Sequence, residues 1–250
     1  MPNLSGHLDI ALEAACRLAH PTVERHRGSF LLGCTAPDIR IITRGKRDHT
    51  HFAPLSNSTL GEGARLMFQQ HPRLAGASSL SEPTRAFVAG YIAHLLADEA
   101  WIIKLYRPFF GNSEVYTDRA EGSIMDRALQ LELDRRVGED MDGLASVRQA
   151  LDGAEDGVEV DFLPPELLRQ WREFVVEATL RAFTWERLRR MLNRLGLNED
   201  PYALTIVERF LASVPDGLDA IYARVPRERV ADFREESITV FLKIAREYLN

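Results

Sequence analysis

The stretch from Phe87 to Trp101 is apolar around almost the whole circumference of the helix that its composition predicts. A helix without a polar face has to be surrounded by other elements, so this stretch predicts a buried central helix. His94 and Asp98 interrupt its apolar character. Four helical steps of about 100° bring their side chains within about 40° of one another, one turn apart. That is the geometry of two metal ligands, since imidazole nitrogen and carboxylate oxygen both suit zinc and related ions.

A histidine and an acid one turn apart can also satisfy each other without a metal, and this alternative stays open. The distribution of histidines favours a site, because all seven lie between His7 and His94. Asp38 stands at the end of a short apolar run, and His49 and His51 follow it along the chain. An extended segment there would point both rings to the same side.

The rest of the pattern is helical, and the fold class that it predicts is all-α, a multi-helix bundle. We divide the chain into a metal-binding helical core over 1–151, an acidic linker over 152–161 and a C-terminal helical extension over 162–250 that packs on the core. Residues 39–57 are expected to be irregular and exposed. The predicted helices span 4–18, 27–36, 58–70, 81–106, 113–137, 142–151, 165–195, 200–214 and 227–249.

Four segments together resemble the zinc-dependent phospholipase C family, whose relatives include the zinc single-strand nucleases. They are His7, Phe-Leu-Leu-Gly-Cys-Thr-Ala-Pro-Asp38-Ile, Thr-His51-Phe and Gly-Tyr-Ile-Ala-His94-Leu-Leu-Ala-Asp98, within about residues 1–135. The resemblance implies an all-helical fold and hydrolysis of phosphodiesters by a metal-activated water. It implies that Asp38, His51, His94 and Asp98 hold one zinc ion, and that His7 helps to hold a second with Asp98 as the bridge. Iron(II) and manganese(II) are the alternative metals.

The chain departs from the family pattern downstream. No histidine follows His94, and Ala128 occupies the helical position one turn before Glu132. Glu132 is therefore interpreted either as a remaining ligand or as a group behind the ligands. The proton acceptor of the implied reaction is an unligated carboxylate, for which Asp38, Asp48 and Glu132 are candidates. We take Asp38 and Glu132 as the candidate catalytic residues.

Cationic side chains follow Asp38 closely. Arg40, Arg44 and Arg47 are candidates for binding an anionic or phosphoester small-molecule substrate, because guanidinium groups grip phosphate and carboxylate with paired hydrogen bonds. The alternative is a solvated loop whose charges only aid solubility. A formal net charge of -6 and a pI near 5.7 argue against broad nucleic-acid binding, which usually requires a basic face.

The segment from Met1 to His7 has no signal-peptide pattern, and the two cysteines, Cys16 and Cys34, give no disulfide framework. No uninterrupted apolar run reaches 18 residues. We therefore expect a cytoplasmic protein without a membrane span. The C-terminal helices are expected to pack on the core, to cover the site or to form an interface between copies of the chain. Two other functions stay open: a metalloenzyme of small-molecule biosynthesis on this scaffold, and a non-enzymatic helical interaction protein.

Overall fold

The computed structural model describes residues 1–250 and contains fourteen α-helices and no β-strand. The predicted all-α class is confirmed. The helices are α1 (Leu4–Leu18), α2 (Pro21–Arg25), α3 (Arg27–Gly33), α4 (Arg40–Thr43), α5 (Asp48–His51), α6 (Glu62–Gln70), α7 (Glu82–Trp101), α8 (Arg119–Gly138), α9 (Met141–Ala150), α10 (Pro165–Leu180), α11 (Arg187–Leu195), α12 (Pro201–Ser213), α13 (Gly217–Arg224) and α14 (Arg227–Leu249).

Helix α7 is the centre of the fold, as its apolar sequence predicts. It packs against α1, α3, α6 and α14, and nearly all of its residues are buried. Ser81 begins it by accepting a hydrogen bond from the backbone N–H of Thr84, as an N-cap does. A wider π-helical segment, Ile102–Phe110, continues it. His94 and Asp98 consequently lie in the most enclosed part of the molecule.

One helix of the fold, Glu82–Phe110, is long and apolar enough to cross a membrane by length and composition. Asp98 and Glu99 interrupt this helix, so the sequence contains no uninterrupted apolar run of 18 residues there. In the fold, 94% of the apolar window of this helix is buried. Such burial is also what the core helix of a water-soluble domain shows.

Two glycines allow α3 and α7 to approach backbone to backbone. A Cβ atom on Gly90 would lie 1.9 Å from the carbonyl oxygen of Phe30, and one on Gly33 would lie 2.0 Å from that of Phe87. These distances are far below van der Waals contact, so no larger side chain fits without moving a helix. The chain leaves α3 directly into the 3₁₀ turn Ala36–Ile39, and this close contact therefore places Asp38 beside α7.

The C-terminal half shares one continuous hydrophobic core with the N-terminal half. The predicted acidic linker does not behave as a free linker, since Ala154, Val158 and Val160 are buried within that core. Helix α14 packs on α1 and α7, and α11 and α12 pack on α8. The predicted single helix over 165–195 is in fact two helices, α10 and α11, with a break between Leu180 and Arg187.

Candidate metal centre

Four separate segments bring the predicted ligands together. His7 comes from α1, Asp38 from the 3₁₀ turn, His51 from α5, and His94 and Asp98 from α7. We call these five residues the His/Asp cluster. One side-chain ligand atom from each of His7, His94 and Asp98 lies within 4.8 Å of the other two, and the same holds for Asp38, His51 and His94. All of the cluster is almost fully buried except Asp38, whose side chain is 19% exposed.

The carboxylate of Asp98 lies among the three imidazole rings. Its Oδ1 is 3.3 Å from Nε2 of His7, and its Oδ2 is 3.1 Å from Nε2 of His51 and 3.9 Å from Nε2 of His94. The rings of His7 and His94 stack face to face, with centroids 3.7 Å apart. The two oxygens of Asp98 therefore face different histidines, as those of a bridging carboxylate do.

Several polar atoms of this cluster have no hydrogen-bond partner. They are both ring nitrogens of His7, Nε2 of His51 and of His94, and Oδ1 of Asp98. An unsatisfied buried polar group costs about 1–3 kcal/mol, so five of them in one place require an explanation. A divalent cation that takes these lone pairs would supply one, and the residues present thus fit a metal ion.

Hydrogen bonds on the outer side orient the rings. Nδ1 of His94 lies 2.8 Å from the carbonyl oxygen of Cys34, and it must donate, since a carbonyl only accepts. The neutral ring then carries its lone pair on Nε2, toward the cluster. Nδ1 of His51 lies 3.1 Å from the hydroxyl of Thr50, whose carbonyl accepts from the hydroxyl of Tyr91 at 2.6 Å. Such outer partners are what metal-ligating histidines use.

The protonation states also suit metal binding. Burial lowers the pKa of His94 well below its ordinary value, and the neighbouring His7 ring adds to the effect. Burial alone would raise the pKa of Asp98, but attraction from the His51 and His7 rings outweighs it and holds that pKa well below its usual range. At neutral pH the cluster therefore offers a neutral imidazole and an ionised carboxylate, the forms that ligate metals.

No protein-family model, no curated protein and no solved structure matches this chain.

A tight helical turn, not an extended segment, carries His51. Asp48–His51 forms α5, in which residues two apart point to different sides. His51 is buried in the cluster, whereas His49 is exposed to solvent. The segment is not extended, and the two rings do not share a side. Only the resemblance through Thr-His51-Phe chose His51, since residue spacing does not separate the two histidines.

Variants of His49 and His51 give a matched test of the ligand set. We expect His51→Ala to lower zinc affinity by about 100-fold or more, because it removes one buried nitrogen ligand, while His49→Ala binds zinc like the parent protein. Competition titration with a zinc-sensitive dye measures both. Equal affinities of the two variants, with circular dichroism showing both folded, would remove His51 from the site.

Glu132 does not join the cluster. Its carboxylate pairs with Nε of Arg135 at 2.8 Å and with Nε of Arg136 at 2.7 Å, on its own helix. Burial acts to raise the pKa of Glu132, but these two arginines hold it below its ordinary value, which makes the group a weak base. We therefore assign Glu132 to the ion pairs of α8 and remove it from the candidate catalytic residues and ligands.

The three predicted substrate-binding arginines lie in different surroundings. Nη2 of Arg47 is 3.4 Å from Oδ2 of Asp98, and its Nη1 donates to the carbonyl of Ala53 at 3.0 Å. Arg47 thus neutralises the cluster from one side and holds the loop that follows His51. Arg44 is exposed and has no ion-pair partner. Arg40 lies beside a cleft that opens on the cluster.

That cleft has a volume of about 380 Å³ and is the side on which Asp38 and Asp98 border open space. Sequence reasoning missed two of its cationic residues, Arg127 on α8 and Arg194 on α11. Neither stands near a ligand in the sequence, and no spacing points to them. The cleft is lined by Met1, Pro2, Asn3, Asp38, Arg40, Ile41, Asp98, Arg127, Met191 and Arg194.

Proposed function

We propose that this protein is a metal-dependent hydrolase of phosphodiesters, similar in its centre to zinc phospholipase C. The observation that carries the proposal is the convergence of three partnerless histidine Nε2 atoms on the ionised Asp98 carboxylate. The adjoining cleft is polar and of a size that admits a small molecule.

The residues that would hold the metal follow from the two groups in the cluster. Asp38, His51 and His94 form one group that would hold an ion, and His7, His94 and Asp98 form the other. Asp98 contacts rings of both groups, since its two oxygens face His7 and His51. Nitrogen and carboxylate ligands suit zinc, and the same set accepts iron(II) or manganese(II).

The residues of the cluster and its neighbours have distinct roles in the proposed hydrolysis. A bound divalent cation supplies Lewis acidity and lowers the pKa of water from about 15.7 toward 7. Asp38 is the partly exposed carboxylate at the cleft. If Asp98 replaces it as the ligand beside His51 and His94, Asp38 stays unligated and would accept the proton of the attacking water. Cys34, through its carbonyl, keeps Nε2 of His94 unprotonated.

A metalloenzyme with a different reaction is the second candidate. Two observations favour it. Two arginines neutralise Glu132, and no histidine follows His94 in the sequence. The additional ions of the phospholipase C cluster therefore have fewer ligands here. Three histidines and two aspartates suit iron or manganese in a small-molecule reaction.

The interaction-protein alternative gains no support from the geometry. It requires His94 and Asp98 to satisfy each other, yet Nε2 of His94 lies 3.9 Å from Oδ2 of Asp98, beyond hydrogen-bond distance. Both side chains are nevertheless almost fully buried. A pair that leaves its polar atoms unsatisfied is not a stabilising core pair.

A panel of small diesters, such as bis(p-nitrophenyl) phosphate, glycerophosphocholine and a cyclic nucleotide, tests the reaction. We expect hydrolysis of at least one diester by protein loaded with zinc or manganese, and its loss on chelation. Asp38→Asn is expected to lower kcat about 100-fold or more if Asp38 accepts the proton. Metal-loaded protein that cleaves none of these diesters would favour the second candidate instead.

A further inference from the structure

Three arginines meet at the open side of the metal centre. Arg40 begins α4, Arg127 lies on α8 and Arg194 lies in the last turn of α11, and all three line the same cleft. We propose that Arg40, Arg127 and Arg194 form a binding site for a doubly charged phosphate group. This arginine site deepens the proposed function, because it names the group by which the substrate is held beside the cluster.

Asp38 and Asp98 also line this cleft, but neither carboxylate forms an ion pair with an arginine of the site. Arg40 and Arg194 form no ion pair and no side-chain hydrogen bond, and Nε of Arg40 is buried without a partner. Burial lowers the pKa of Arg194, Asp38 acts in the opposite direction, and the charges of Arg127 and Arg40 add to the lowering. Positive charges held close together in a partly enclosed cleft favour an anion there.

Neighbouring residues position Arg127, the third arginine, but occupy only some of its N–H donors. Nη1 of Arg127 donates to Oε1 of Gln130 at 2.8 Å and lies 3.8 Å from Oδ2 of Asp126. Asp126 already accepts from Nε1 of Trp101 and from Nε2 of Gln130, both at 2.8 Å. Arg127 is thus held at the cleft with N–H donors left for a ligand.

The chemistry of three guanidinium groups selects the ligand. Each group presents planar, paired N–H donors that match two oxygens of a phosphate or carboxylate. A phosphate monoester offers three non-bridging oxygens and about two negative charges, whereas a diester offers two oxygens and one charge. A site of three arginines therefore favours the monoester, and we infer that the substrate carries a terminal phosphate.

Calorimetric titration with inorganic phosphate, at about pH 8 and low salt, tests the arginine site directly. Phosphate is mostly dianionic there. We expect binding by the metal-free protein, and about tenfold weaker binding by Arg194→Gln and by Arg127→Gln, because each loses a forked donor. The matched control is Arg190→Gln, on the same helix as Arg194, exposed and outside the cleft. It is expected to bind phosphate like the parent protein.

Two organic phosphates define the ligand more closely, and the outcomes separate the arginine site from the proposed hydrolase function. Phenyl phosphate is expected to bind and diphenyl phosphate to bind at least about tenfold more weakly. Failure of the parent protein to bind phosphate at millimolar concentration, or unchanged binding by both folded Gln variants, would overturn the arginine site even if metal and diesterase activity are found. Absence of metal binding would overturn the proposed function alone, because the phosphate titration uses metal-free protein.

Discussion

A His94→Ala variant is expected to lose its bound metal and all metal-dependent activity. His94 belongs to both ligand groups of the His/Asp cluster, so its removal takes a nitrogen ligand from each. The buried cavity that replaces the ring should also lower the free energy of unfolding by about 2–4 kcal/mol. Elemental analysis after dialysis measures the metal, and urea denaturation measures the stability. His94→Gln, which keeps more of the volume, separates loss of the ligand from loss of packing.

His71→Ala is the control for this experiment. His71 is also mostly buried, pairs with Asp161 at 2.9 Å and packs on the ring of Phe162, but it lies outside the His/Asp cluster. We expect this variant to lose some stability and to keep its metal. A folded His94→Ala protein with the metal content of His71→Ala would count decisively against the ligand assignment.

Gly90→Ala is expected to destabilise the protein by about 3 kcal/mol or more, although alanine is the better helix former by about 1 kcal/mol. The added Cβ would meet the carbonyl oxygen of Phe30 at 1.9 Å, so α3 and α7 must move apart. Because α3 leads to Asp38 and to the Cys34 carbonyl that orients His94, zinc affinity should fall as well. Urea denaturation and zinc titration measure the two effects.

The matched control is Gly138→Ala at the end of α8. Its Cβ would meet only the Cβ of Phe183, at 4.0 Å, which is an ordinary contact. We expect a change in stability of less than about 1 kcal/mol in this variant. Equal stabilities of the two alanine variants would contradict the close packing of α3 on α7.

The helical part of the fold could be predicted from the sequence because it depends on local pattern. The bounds of α1 and α14 agree with the prediction, and α7 begins within one residue of the predicted start at 81. The break between α10 and α11 could not be predicted, because residues 181–186 contain no proline or glycine to end a helix. Burial of Ala154, Val158 and Val160 in the acidic segment likewise depends on packing between distant parts of the chain.

The candidate site likewise has one part that the sequence predicts and another that depends on packing. His94 and Asp98 are one turn apart on one helix, so their proximity follows from spacing alone. The convergence of Asp38 on them depends on backbone contact between α3 and α7, which no single segment encodes. Glu132 was assigned wrongly because a helical position gives the face of a residue and not its partner, and the arginines three and four residues later take its carboxylate.

The arginine site could not be predicted from short sequence motifs. Arg127 and Arg194 are ordinary helix residues in the sequence, and only the packing of α11 against α8 brings them to one cleft with Arg40. Arg47, which the sequence places among the substrate-binding residues, contacts Asp98 instead. Closeness in the sequence to Asp38 thus identified Arg40 and Arg47, which lie near the cluster, but it could not identify Arg127 and Arg194.

The metal centre is tested most directly by the metal content of protein purified without a histidine tag and then incubated with zinc, manganese or ferrous salt. After removal of excess ion, elemental analysis should find one or two divalent ions per parent chain and none in Asp98→Ala. A parent protein that is folded by circular dichroism, and that retains no ion under any of these conditions, would contradict the metal centre.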